Sequence, residues 1–182
     1  IADFEIGLVP DSLGRDFGML DLKIVTQNAY NYEEPVTVGY DIYSPQGKLL
    51  EFNMTEITIP GRSTDTVRFS PFIYHTYDNK WEAGSKTPPL YKVMLFTRRN
   101  GVYKEYMPMK IGFGKTELID GRIMRLGKEL KLEKARYNAA ADRKAALAEL
   151  KALKAKGKNT ICPDYPQPAW FYELCDELGL YV

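Results

Sequence analysis

The hydrophobic period changes near Gly114, and that change constrains the fold more than any other feature of the chain. Before it, Val36, Val38, Tyr40 and Ile42 alternate with Thr37, Gly39, Asp41 and Tyr43. A period of two sends successive side chains to opposite faces of a strand. Further strands are predicted at 20–25, 48–52, 57–59, 66–69, 90–97 and 102–107. They are separated by turn-forming residues such as Ser44-Pro45-Gln46-Gly47, Pro60-Gly61 and the strong hairpin signal Asn100-Gly101. About seven short strands in this order predict a β-sandwich of about a hundred residues.

After Gly114 the period becomes helical. Residues 140–156 are rich in Ala, Leu and Lys, with Ala146, Leu147, Leu150 and Leu153 on one stripe and Gly157 placed to end the helix. A strand is predicted near 129–135 and another at 159–162. A second helix follows, running through Trp170, Phe171, Leu174, Cys175 and Leu178, with Pro168 in its first turn and Gly179 at its end. Leu180-Tyr181-Val182 has the composition of one more strand. This βαβαβ order belongs to a parallel α/β sheet or barrel. An eight-stranded barrel takes about 250 residues, so this stretch would be the opening of one at most.

Composition excludes several classes. The 182 residues carry 25 basic and 24 acidic side chains, for a net charge of +1, so no global field draws the chain to nucleic acid or membrane. Residues 115–158 do concentrate 13 basic against 6 acidic side chains. Without an aromatic stacking platform, however, Lys144, Lys151, Lys154 and Lys158 are assigned to the solvated face of a helix. One histidine, His75, excludes a multi-histidine metal site, and it is read as a loop or structural residue. Cys162 and Cys175 are too few for a disulfide scaffold and wrongly spaced for a CxxC pair. They are read as buried thiols, since no histidine base accompanies them. No cofactor and no metal are expected. No apolar run approaches the roughly 20 residues that span a bilayer. The chain opens Ile1-Ala2-Asp3 and shows no signal peptide, which points to a piece of something longer. Asn53-Met54-Thr55 fits the glycosylation triplet, a pattern that arises often by chance.

Three stretches together resemble glycoside hydrolase family 2, the group of β-galactosidases, β-glucuronidases and β-mannosidases. Trp81 followed by Pro88-Pro89-Leu90-Tyr91-Lys92-Val93 is similar to a strand late in the family's middle domain. Ile111-Gly112-Phe113-Gly114, Ile119-Asp120-Gly121-Arg122-Ile123 and Leu126-Gly127-Lys128 resemble the passage from that domain to the catalytic barrel. The most specific stretch runs from Leu150 through Asn159-Thr160-Ile161, Tyr165-Pro166 and 171–177 to Gly179-Leu180-Tyr181-Val182.

The resemblance implies a mainly β chain with a C-terminal α/β part. Residues 1–113 would be an immunoglobulin-like β-sandwich, and 114–182 an incomplete (β/α)8 barrel fragment. It implies a retaining glycosidase of β-galactosidase-like activity in the full-length protein, with a carbohydrate substrate. Such an enzyme uses one carboxyl as acid/base and another as nucleophile, about 5 Å apart. Both would lie on later barrel strands, so this fragment would hold no catalytic residue and be inactive alone. Nucleic-acid and membrane partners are not expected. Exposed barrel edges imply a homo-oligomer or a smaller rearranged fold. A periplasmic or secreted location is implied by the resemblance only.

Departures from the family mark the candidate site. Its I-G-F-R arginine is Gly114 here. Its G-x-N-x-H-E segment corresponds to 134–139, with Arg136 for Asn, Asn138 for His and Ala139 for Glu. Its R-x-S-H-Y-P segment appears as Cys162-Pro163-Asp164-Tyr165-Pro166, with Asp164 where the histidine stands. An ionised aspartate can only accept from a sugar hydroxyl, whereas a histidine can donate. The candidate substrate-binding residues are therefore Asp164, Tyr165, Asn138 and Arg136, at the strand ends where barrel enzymes build their sites. Altered sugar preference is the favoured consequence; a lost or rebuilt pocket is the alternative. Turn geometry around Pro163 and Pro166, or a helix cap at Asn138, would explain the same residues structurally. Trp170, Phe171 and Tyr172 are assigned to packing, while Glu33-Glu34 and Asp176-Glu177 are assigned to solvated or capping charge. A different class of protein, a non-catalytic immunoglobulin-like module binding a protein or glycan, also fits the first part.

Overall fold

A computed structural model describes residues 1–9, 17–138 and 142–182. The chain divides into two compact units, 1–78 with 91–113, and 79–90 with 114–182.

The first unit is built from two antiparallel sheets. One contains β1 (Asp3–Leu8), β2 (Phe17–Gln27) and β5 (Thr64–Phe69) in that order, with β6 (Phe72–Tyr74) paired to the start of β2. The other has the order β4 (Leu49–Ile59), β3 (Glu34–Tyr43), β7 (Tyr91–Arg99), β8 (Val102–Ile111). Alternation decides what each strand buries. Leu20, Leu22 and Ile24 from β2 meet Val38, Tyr40 and Ile42 from β3 and Val93 and Leu95 from β7 in one core, all at most 2 % exposed. Burying a Leu, Ile or Val side chain contributes roughly 1.5–3 kcal/mol, so this interdigitated layer holds the two sheets face to face. The sandwich expected from the sequence is therefore present. Two details differ. The stretches 48–52 and 57–59 are parts of the single strand β4, which continues through Asn53-Met54-Thr55 opposite Val38, Gly39 and Tyr40. β1 and β6 were not foreseen.

Asn100 and Gly101 both adopt positive φ, 50° and 73°, so Arg99 pairs directly with Val102 in a tight hairpin. The same device recurs in the second unit. Asp120-Gly121 joins β9 (Thr116–Ile119) to β10 (Arg122–Arg125), and Leu126-Gly127 joins β10 to β11 (Lys128–Glu129). This three-stranded sheet occupies a stretch that the sequence pattern left without strands.

The remainder of the second unit alternates strand and helix: β12 (Lys134–Tyr137), α1 (Arg143–Ala155), β13 (Thr160–Pro163) and α2 (Ala169–Leu178). β12 and β13 are parallel, and Tyr181 forms a parallel bridge with Thr160 on the other side of β13. The first of these strands lies several residues beyond its expected position near 129–135. α1 begins with Asp142, whose Oδ1 accepts from the Ala145 N–H at 2.8 Å, so Asp142 and not Asn138 is the cap. Pro168 caps α2 instead of entering its first turn, and Gly179 ends the helix at φ 69°. Tyr137, Ala146, Leu150, Ile161, Phe171, Leu174 and Cys175 form the core.

Trp81, Lys154 and Arg125 of this unit are among the side chains that bond to backbone carbonyls far away in sequence. The Trp81 Nε1–H donates to Asp176 O at 2.9 Å. Lys154 Nζ donates to Ser85 O at 2.5 Å and to Leu178 O, so it is not part of a merely solvated face. Arg125 donates to Trp81 O at 2.6 Å and Thr116 Oγ1 at 3.0 Å, and its guanidinium lies against the rings of Trp81 and Tyr181. A Cβ on Gly114 would fall 1.7 Å from Arg125 Nη2. The missing side chain at 114 is thus explained: an arginine from β10 fills its place.

Candidate functional site

Alternation along β12 sends Ala135 and Tyr137 toward α1 and α2, leaving Lys134 and Arg136 exposed on the opposite face. On β13, Ile161 is in the core, and the backbone pairs Arg136 with Cys162 and Tyr137 with Pro163. Because the two strands run parallel in this register, their carboxyl ends coincide. Asp164 N–H donates to Tyr137 O at 3.3 Å and continues the pairing by one residue.

This arrangement joins two of the candidate residues directly. Arg136 Nη2 and Nε donate to the same Asp164 oxygen, Oδ1, at 2.9 and 3.2 Å. The arginine side chain is 86 % exposed and that of the aspartate 36 %, so the pair contributes about 0–1 kcal/mol to stability. It places a donor-rich guanidinium beside a carboxylate whose second oxygen has lone pairs to accept with. Asn138 and Tyr165 follow at the same two strand ends, both exposed. The loop behind them is anchored: Gln167 Nε2 donates to Tyr165 O at 2.9 Å, and Gln167 N–H donates to the Tyr172 hydroxyl at 3.1 Å. Ala139 lies outside the described residues.

Several neighbouring residues have the packing roles assigned to them. Phe171 is fully buried and Trp170 packs beside it, although Tyr172 is exposed and serves the loop. Cys162 and Cys175 are both free thiols; Cys175 is buried as expected, whereas Cys162 is only partly buried. Burial, with Asp176 beside it, pushes the Cys175 thiol up to about 12, which keeps it protonated and unreactive. Burial, with Glu149 nearby, likewise pushes the Tyr137 hydroxyl up to about 12. Asp176 is not a simple solvated charge. Desolvation and the carboxylates of Glu173 and Glu177 push it up to about 6. Among the described residues, no group of three or more His, Cys, Asp or Glu side chains is placed to hold a metal ion, and no helix is long and apolar enough to cross a membrane.

The sequence reading missed a cleft in the first unit, lined by apolar and charged side chains together. Glu34, read as solvated, pairs there with Arg99 and is only 14 % exposed. The doublet of Tyr30 and Tyr32 beside Glu33-Glu34 was the available signal.

No protein-family model matches the chain. It is 32 % identical over 164 residues to a β-galactosidase of Halalkalibacterium halodurans, covering 82 % of this chain and 15 % of that protein. It is 30 % identical over 176 residues to a β-galactosidase of Lactobacillus delbrueckii subsp. bulgaricus, covering 89 % and 17 %. The chain thus spans about a sixth of the length of these curated relatives. Among solved structures it is similar to a Bacteroides uniformis β-glucuronidase, with TM-score 0.87, 19 % identity and coverage of 97 % of this chain and 22 % of that one. A glycosyl hydrolase family 2 member from Bacteroides cellulosilyticus gives TM-score 0.81 and 18 % identity, covering 91 % and 23 %. At these identities the structural likeness speaks for the fold.

Proposed function

We propose, from the premise that this chain is a β-galactosidase-like stretch of glycoside hydrolase family 2, that it serves a retaining enzyme acting on β-linked sugars. In this reading 1–113 is an immunoglobulin-like sandwich and 114–182 is the opening of a (β/α)8 barrel. The observation that carries it is the pairing of β13 in parallel on both sides, with β12 and with Tyr181, each connection passing through a helix. Successive βα units of a barrel have this order. The β-galactosidases to which the chain is 30–32 % identical support the class of substrate.

The chemistry follows from the strand ends. Barrel enzymes bind substrate where the carboxyl ends of the strands converge. There Asp164 accepts hydrogen bonds from sugar hydroxyls, Arg136 donates them, and Asn138 and Tyr165 complete one wall. Held in place by Arg136, the Asp164 carboxylate offers its oxygens as acceptors. Sugar recognition on this side thus differs from that of a site with a histidine donor. Hydrolysis with retention needs a protonated carboxyl at the leaving oxygen and a carboxylate nucleophile about 5 Å away. None of the glutamates of this chain is assigned to either role, so these 182 residues bind and shape without cleaving.

The test is hydrolysis of a panel of chromogenic β-glycosides by this chain and by the longer protein that contains it. The longer protein turns over at least one β-glycoside, and Asp164→Ala raises its KM. Turnover by the 182 residues alone refutes the assignment of no catalytic carboxylates; no turnover by the longer protein refutes the enzyme reading. A non-catalytic sandwich binding a glycan would then remain, favoured by the cleft in the first unit.

A further inference from the structure

At one end of the sandwich, the connection from β2 to β3, the start of β3, the end of β7 and the start of β8 enclose a cleft of about 440 Å³. Small-molecule clefts run from roughly 300 to 1,000 Å³, so it can hold a short ligand. We propose that this cleft is a carbohydrate-binding site, distinct from the strand ends of the second unit, and that it takes a neutral oligosaccharide.

One wall is fixed in advance. The Asn28 side chain is 5 % exposed, and its Nδ2 donates to the carbonyls of Tyr32, Ile59 and Pro60 at 2.7, 3.0 and 3.3 Å. Its Oδ1 accepts from the Tyr30 N–H at 2.9 Å. A single buried amide thus locks the loop that presents Tyr30, which is 50 % exposed and stacks on Tyr32 with centroids 5.1 Å apart. A ring held in place before binding loses little entropy when a ligand stacks on it.

Charge selects the ligand class. The cleft carries Glu34 and Glu105 together with Arg99 and Lys104. Arg99 pairs with Glu34 while lying 5.8 Å from the centroid of the Tyr30 ring. Thr97 Oγ1 donates to Glu105 at 2.9 Å. An anionic ligand would meet two carboxylates and a cationic one two positive side chains. A sugar instead offers hydroxyls that both donate and accept, plus an apolar ring face that stacks on tyrosine. The inference stands independently of where catalysis takes place.

Titration of this protein with β-1,4-galactotetraose, followed by amide NMR, tests it. Saturable shifts are expected at 30–34 and at Arg99 and Lys104. Tyr30→Ala, which leaves the backbone bonds of the loop intact, should weaken binding by roughly tenfold, as removal of a central aromatic anchor does. Tyr30→Phe should stay within about threefold, since only a hydroxyl is lost. Absence of saturable shifts, or equal binding by Tyr30→Ala, overturns the inference. Equal or tighter binding of tetragalacturonate overturns the assignment of a neutral ligand. Shifts abolished by Asp164→Ala but kept in Tyr30→Ala overturn it while leaving the strand-end site in place.

Discussion

The two units hold themselves together by different means. In the sandwich, side chains spaced two apart on β2, β3 and β7 form one apolar layer. In the second unit, a smaller apolar core is supplemented by Trp81, Arg125 and Lys154, each bonding to a carbonyl distant in sequence. The difference teaches that periodic burial spreads stability over many residues, whereas long polar contacts concentrate it in a few. A buried carbonyl that loses its donor costs about 1–3 kcal/mol, so single substitutions at such donors should be felt strongly.

The first test of that contrast is the small core itself. Phe171 is fully buried among Tyr137, Leu150 and Leu174. Phe171→Ala should cost about 3–5 kcal/mol. Hydrogen exchange should show the loss in α1, α2 and β13 while β3 and β7 keep their protection; equal loss in both places would break the contrast. Gly114→Ala comes next. The added methyl would evict the Arg125 guanidinium from Trp81 O and Thr116, costing roughly 1–3 kcal/mol in urea unfolding. In an Arg125→Ala background the same change should cost much less, because the two residues share one space. Additive costs would show that Arg125 is not what excludes a side chain at 114.

Smaller effects sharpen the comparison. Lys154→Met keeps the aliphatic stem but removes the donor to Ser85 O and Leu178 O, and should cost about 1–2 kcal/mol. A change in melting no larger than that of Lys151→Met would contradict the role. Asp176 should give an effect marked out by its pH dependence. Its carboxyl is pushed up to about 6 in the folded chain, above its ordinary 3.8. Between these values the folded state holds a proton that the unfolded state has released, so this group makes stability fall as pH rises from about 4 to 6. Below both values its contribution vanishes. Asp176→Asn should therefore stabilise the chain at pH 7 and make no difference near pH 3; stabilisation that is equal at both would remove the charge explanation.

The contrast also explains what was legible in the sequence. Val36 to Tyr43 shows its faces because Val36, Val38, Tyr40 and Ile42 point inward with Thr37, Gly39 and Asp41 between them. β1 carries the same period, with Phe4 and Ile6 packed against the core between Asp3, Glu5 and Gly7, but over only six residues and with no fully buried side chain. β4 is split in the sequence pattern because Asn53 and Met54 are both exposed on it. Arg125 and Lys154 are invisible to periodicity: nothing in a helical or strand period distinguishes a cation that bonds to a distant carbonyl from one in solvent. The strand-end residues were found through their place in a recognised order of motifs. Physical pattern alone would have left Arg136 and Asp164 as unrelated surface charges, since 28 residues separate them in sequence.

Covalent trapping tests the central claim most directly. The longer protein that contains this chain would be treated with an activated 2-deoxy-2-fluoro-β-galactoside, digested, and its labelled peptide sequenced. The account predicts that the label falls on a glutamate outside these 182 residues; a label on any glutamate between Ile1 and Val182 would contradict it.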